Sequence, residues 1–115
     1  MTTIELKDLA HAKMVEAMML LRTAHEMAEM EATNAEAKKC HAFEVLVHLE
    51  DMYPAYKGDS SFEADMDIAQ AIYDDAWQKA DLLRYDAEQI YGAMISARDA
   101  IDALEETWFY EELGR

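Results

Sequence analysis

Proline and glycine are nearly missing from this 115-residue chain, which has one Pro, at position 54, and three Gly, at 58, 92 and 114. Without breakers, little interrupts a helix. With so few glycines there is also no Gly-rich loop to cradle a phosphate. A single cysteine, Cys40, excludes an intrachain disulfide and fits a reducing compartment. Positive charge is scarce: ten Lys and Arg stand against 25 Asp and Glu, for a net charge of −15. That balance argues against direct contact with nucleic acid or an anionic membrane, both of which need cationic side chains. The longest strongly apolar run, Met18 to Leu21, falls far short of the roughly 20 residues that span a bilayer. The first residues lack the basic and apolar blocks of a signal peptide, so a cytoplasmic location is expected, in the protein's own cell or in a host cell.

What the chain does have is a heptad pattern over residues 62 to 108. At alternating steps of four and three stand Phe62, Met66, Ala69, Tyr73, Ala76, Ala80, Leu83, Ala87, Ile90, Met94, Ala97, Ile101, Leu104 and Trp108, all apolar. A repeat averaging 3.5 residues keeps one stripe of a helix against a partner helix. At 1.5 Å per residue the helix would be about 70 Å long, which predicts an elongated scaffold and no catalytic pocket.

The clearest turn signal lies at the centre, where Tyr53-Pro54-Ala55-Tyr56-Lys57-Gly58-Asp59-Ser60-Ser61 holds the only Pro. Pro54 is expected to end the first helix at about Met52. Ser60, three before Glu63, reads as a capping box for the second. In the first half, Ala10, Met14, Ala17, Leu21, Ala24 and Ala28 follow the heptad steps. The phase then meets Glu31 and Lys38 before resuming at Ala42, Val45, Leu49 and Met52. A second capping box, Thr33 to Glu36, leaves open a break near residue 33, although one continuous or gently kinked helix is favoured. The expected organisation is a single helical domain over 1–115, with helix 1 at about 4–52, a turn at 53–61 and helix 2 at about 62–112.

Such a hairpin has surplus apolar residues off the stripe, namely Ile68, Ile72, Trp77, Leu82, Tyr85, Tyr91 and Ile95. Trp77, Tyr85, Tyr91 and the Trp108-Phe109 pair are candidates for an apolar interface, and self-association into an antiparallel four-helix bundle would cover them. Met14, Met18, Met19, Met27 and Met30 form a soft stretch suited to core filling or to an adaptable interface.

Charge is unevenly placed. Residues 1–57 hold ten acids and six Lys or Arg, net −4, whereas residues 58–115 hold 15 acids and four, net −11. On helix 2, Asp67, Asp74, Asp81, Glu88 and Asp102 recur on one column, with Asp75 and Asp99 nearby. Lys79, Arg84 and Arg98 are too few to pair them. These acids are either a solvated face or a surface for a basic protein, and they are the candidate partner-binding residues. The rod-like acidity resembles phage-encoded DNA-mimic inhibitors in charge and shape, which implies a cationic, nucleic-acid-handling partner.

Other motifs are weaker. His41, Glu44, His48 and Asp51 share a helix face at a spacing that suits a divalent cation, but no Glu-x-x-His pair completes a di-metal bundle site. Glu26-x-x-Glu29 followed by His48-x-x-Asp51 resembles the magnesium-holding carboxylates of all-α nucleotide pyrophosphatases, departing from them at the second element. Adjacent Cys40 and His41 point to different parts of a helix, which disfavours a nucleophilic pair. Tyr56-Lys57-Gly58 resembles the turn of small secreted hairpins of the Trp-x-Gly type, with Tyr in place of Trp. Trp108-x-x-x-Glu112 only approaches their C-terminal signal.

The sequence thus predicts an all-α, coiled-coil-like antiparallel helical hairpin that forms a homodimer, with no catalytic residues, cofactor or metal. Its expected role is protein–protein interaction, most concretely inhibition of a basic nucleic-acid-binding protein. A structural or assembly adapter, or a secreted hairpin acting through apolar surfaces, is the alternative. A metal-dependent all-α enzyme comes third.

Overall fold

In the computed structural model, which describes the backbone of residues 1–113 and the side chains of 1–112, the chain is all-helical. Helix α1 spans Thr3–Tyr56 and α2 spans Ser60–Leu113. Thr2 caps α1, its Oγ1 accepting from the Glu5 amide at 3.2 Å. No helix among the described residues is long and apolar enough to cross a membrane.

The turn differs from expectation in two ways. Pro54 does not stop α1, which continues through it to Tyr56. A proline this close to a C-terminus disrupts only the last turn. Stacking of Tyr56 on Phe62 at 4.8 Å, with Tyr53 at 6.5 Å from the same ring, ties that turn to α2. Gly58, with φ at 89°, then makes the left-handed step that ends many helices. The cap of α2 is Asp59, not Ser60. Its Oδ1 accepts from the amides of Ser61 and Phe62 at 2.9 and 3.1 Å. Glu63 reaches back to the Gly58 amide and the Tyr53 hydroxyl, both at 3.4 Å. Asp59 displaces Ser60 because it stands directly after the left-handed glycine, where its carboxylate meets the first free amides of the helix.

There is no break at Thr33. The stretch is rich in alanine, the best helix former, and Ala28, Ala32 and Ala35 are buried against α2. The Thr33–Glu36 box therefore lies within a continuous helix, where no amide is left free to cap.

The chain forms two compact units, one of Met1–Met27 with Ala87–Arg115 and one of Ala28–Asp86. The Ala28–Asp86 unit is a helical hairpin in itself. Phe43 meets Tyr73 at 5.6 Å and Lys39 lies over Trp77 at 3.9 Å, which sets α1 and α2 antiparallel. Its core is small: Ala32 and Ala80 have no exposed surface, and Leu46 is the largest buried residue beside Ala28, Ala35, Ala42 and Ala69. Alanines let two helices approach closely but bury little area each. In the other unit the helices are also antiparallel, with Lys7 paired to Glu111 and His11 to Glu105. Here larger side chains fill the seam, with Ile101 buried and Met14, Met18, Leu21, Ile90 and Met94 half-buried.

On α2 the expected heptad stripe is the buried stripe. All fourteen of its residues are buried or half-buried, and the other described residues that are not exposed are Glu63, Arg84 and Ile95. On α1 the stripe needs correction. One of its two columns holds the expected Met14, Leu21, Ala28, Ala42 and Leu49, joined by Lys7 and Ala35. The other is His11, Met18, His25, Ala32, Lys39, Leu46 and Tyr53, all buried or half-buried; of the column expected in its place, Ala10, Ala24 and Met52 are half-buried, whereas Ala17 and Val45 are exposed. The apparent phase shift at Glu31 and Lys38 does not exist. Both residues sit one position before the true column, at Ala32 and Lys39.

Candidate interaction surfaces

The second α1 column alternates polar and apolar residues, so polar side chains enter the seam every second heptad. Each finds an aromatic ring of α2. In the Met1–Met27/Ala87–Arg115 unit, His11 meets Trp108 edge-on at 4.9 Å and hydrogen-bonds Glu105 at 2.8 Å, and His25 meets Tyr91 at 5.3 Å. In the Ala28–Asp86 unit, Lys39 lies over Trp77 and pairs with Glu36 at 3.4 Å, and Tyr53 packs on Phe62. Long polar side chains lay their carbon stems in the seam and turn their heads to the rim, where a ring face or a carboxylate receives them.

This contact set accounts for three of the five apolar candidates. Trp77 touches Lys39 in the Ala28–Asp86 unit, and Tyr91 and Trp108 touch His25 and His11 in the other unit, so each ring is engaged by α1 of its own chain. Trp77 and Tyr91 remain 46% and 49% exposed, so they also present ring surface outward. Tyr85 and Phe109 stay largely outside, at 56% and 58%.

The acidic candidates are all exposed: Asp67, Asp74, Asp75 and Asp81 in the Ala28–Asp86 unit, and Glu88, Asp99 and Asp102 in the other. Lys79 pairs with Asp75 at 3.0 Å, and Gln70 donates to Asp74 at 2.9 Å. Asp67, Asp74 and Asp81 lie at heptad spacing on one line of α2. Asp75 stands apart from them, on the wall of a groove.

Beside Asp75 runs that groove, an open trough of about 1070 Å³ in the Ala28–Asp86 unit. Ala35, Ala42 and Leu49 of α1 and Ala69, Ala76 and Leu83 of α2 form its floor. Val45, Ile68 and Ile72 stand on its walls, 42%, 58% and 57% exposed. It runs along the flank opposite the Lys39–Trp77 contact. The groove explains why the α1 stripe is hard to place from sequence: Val45 is apolar because it lines the groove, not because it enters the seam. A second apolar column beside the seam is the signal that marks such a flank.

His41 also lines the groove. Among the described residues, no group of three or more His, Cys, Asp or Glu side chains could hold a metal ion, so His41, Glu44, His48 and Asp51 share a face without forming such a site. Cys40 is exposed and free. Comparison with known proteins finds no matching family model, no matching curated protein and no matching solved structure.

Proposed function

We propose that this protein is a non-catalytic interaction protein whose helices present acidic surface to a basic partner, and that copies of it pair through the apolar surface the hairpin leaves uncovered. The observation that carries the first part is the exposure of Asp67, Asp74 and Asp81 on one line of α2 in the Ala28–Asp86 unit, with no lysine or arginine paired to any of them among the described residues. Ordinary exposed helices interleave charges of both signs, because like charges three or four residues apart repel. An uncompensated acidic line on a rigid helix suits a cationic groove, such as the nucleic-acid-binding surface of another protein. The most concrete form of the reading is an inhibitor that occupies that surface, in the manner of a phage-encoded anti-defence protein acting inside a host cell.

The test compares the natural chain with Asp67→Lys/Asp74→Lys/Asp81→Lys as baits in bacterial lysate. The natural chain should retain a basic nucleic-acid-binding protein at low salt and release it at high salt, since exposed charge pairs are screened. The triple variant should keep its helical circular dichroism and retain nothing. Equal capture by both baits would overturn the reading. Capture that survives high salt would favour an adapter working through apolar contacts, for which exposed Tyr85 and Phe109 are the supporting observation.

A further inference from the structure

We infer that the open groove of the Ala28–Asp86 unit is the seat of a second copy of this chain, groove against groove about a two-fold axis. The inference rests on the self-association proposed above and names the face that carries it.

The first support is what the hairpin lacks. Among the described residues no large side chain is fully buried, and the floor of the groove is mostly alanine. Val45, Ile68 and Ile72 lean over this floor with about half their surface in water. Branched apolar side chains on both walls of a trough gain from burial only if something apolar fills the trough.

The second support is the pattern of sizes on the floor. Each helix contributes Ala-Ala-Leu at heptad spacing, as Ala35, Ala42 and Leu49 on α1 and Ala69, Ala76 and Leu83 on α2. Because the helices are antiparallel, with Phe43 opposite Tyr73, the two leucines fall at diagonal corners. Leu49 lies at the level of Ala69, Ala35 at the level of Leu83, and Ala42 and Ala76 share the centre. Such a floor looks the same after half a turn in its own plane. Laid face to face on an identical floor about a two-fold axis, either along the helices or across them, every leucine meets an alanine. Large over small is the condition for two layers to interdigitate, and an isologous interface must be complementary to itself.

The third support is charge. A basic amphipathic helix would seek an acidic rim. This rim is close to balanced: Glu31 with Lys38 on α1, and Asp65 and Asp75 with Lys79 on α2. On a chain of net charge −15, a rim that carries both signs lets a second copy approach with less repulsion than the acidic line of α2 would. Asp67 and Asp81, which are absent from the groove lining, stay out of the contact.

The experiment is light scattering on size-exclusion fractions of the full chain across micromolar concentrations. The natural chain and Tyr85→Lys should run as dimers, because Tyr85 does not line the groove. Ile68→Lys/Ile72→Lys should run at half that mass with unchanged helical circular dichroism. Val45→Lys, on the other wall, repeats the test should the double variant lose helicity. A natural chain that is monomeric throughout overturns both this inference and the self-association reading. A dimer that survives the groove variants overturns this inference alone. A monomeric chain that takes up a basic amphipathic peptide in the groove also overturns it, in favour of a heterologous partner.

Discussion

The two flanks of the seam in the Ala28–Asp86 unit are made of the same two helices yet end in opposite states. On one flank, Lys39 covers Trp77, Phe43 meets Tyr73, and Arg84 bonds Glu29 at 2.7 Å. Long and aromatic side chains reach across and close the edge. On the other flank the floor residues are alanines and leucines, no hydrogen bond, ion pair or ring contact among the described residues spans the gap, and a groove stays open. The difference teaches that a two-helix hairpin need not treat its edges alike. Side-chain length at the positions next to the seam decides whether an edge is finished within the chain or left for another surface.

The comparison breaks most visibly if a residue is enlarged on each side. Ala80 is fully buried in the seam, whereas Ala76 lines the groove and is half-buried. Ala80→Leu has no room and must push the helices apart or force a strained rotamer. It is expected to destabilise the fold by about 1–3 kcal/mol. Ala76→Leu extends into open space and should change stability by less than about 0.5 kcal/mol when the chain is monomeric. Urea denaturation followed by circular dichroism reads both. Equal losses would mean that the groove floor is packed as tightly as the seam.

A smaller effect comes from truncating one wall on each side. Trp77→Ala removes the ring beneath Lys39 and its edge contact with Tyr73 at 6.2 Å. With the ring partly exposed, the expected cost is about 1–2 kcal/mol. Ile72→Ala, on the open flank, should stay within about 0.5 kcal/mol at concentrations that keep the chain monomeric. Thermal melts at low protein concentration separate the two. A larger loss at Ile72 would show that the hairpin itself depends on the open wall.

The same contrast explains what the sequence discloses. The α2 stripe was legible residue by residue because its seam positions are all apolar, so pattern and burial coincide. The α1 stripe was half legible. Its column through Met14, Leu21 and Ala28 stands out, but the companion column hides behind His11, His25 and Lys39, which read as surface until the rings opposite them are known. The apolar column beside the first lies only partly in the seam, with Ala10, Ala24 and Met52 half-buried and Ala17 and Val45 exposed, because apolarity records burial against any surface, including one outside the hairpin. Cap chemistry was legible to within one residue, since Asp59 and Ser60 are both good caps and only the position of the left-handed Gly58 chooses between them. The acidic candidates were legible as exposed residues. That Asp75 belongs to a groove wall, apart from Asp67, Asp74 and Asp81, needed the groove itself.

The smallest expected effect tests whether charge helps to close the finished flank. Arg84 and Glu29 bridge the helices at 2.7 Å, but their side chains are 36% and 42% exposed. Water and salt therefore screen the pair, and exposed pairs of this kind contribute about 0.2–1 kcal/mol. Arg84→Ala should cost about 0.5 kcal/mol at low ionic strength and nearly nothing at high salt. The matched control is Lys79→Ala. It removes a pair within one helix whose side chains are 70% and 62% exposed, and its cost should be smaller still. If Arg84→Ala costs the same in both salts, the guanidinium acts through the packing of its stem against α1 rather than through its charge. The finished flank would then be closed by side-chain length alone, the property its alanine-floored counterpart lacks.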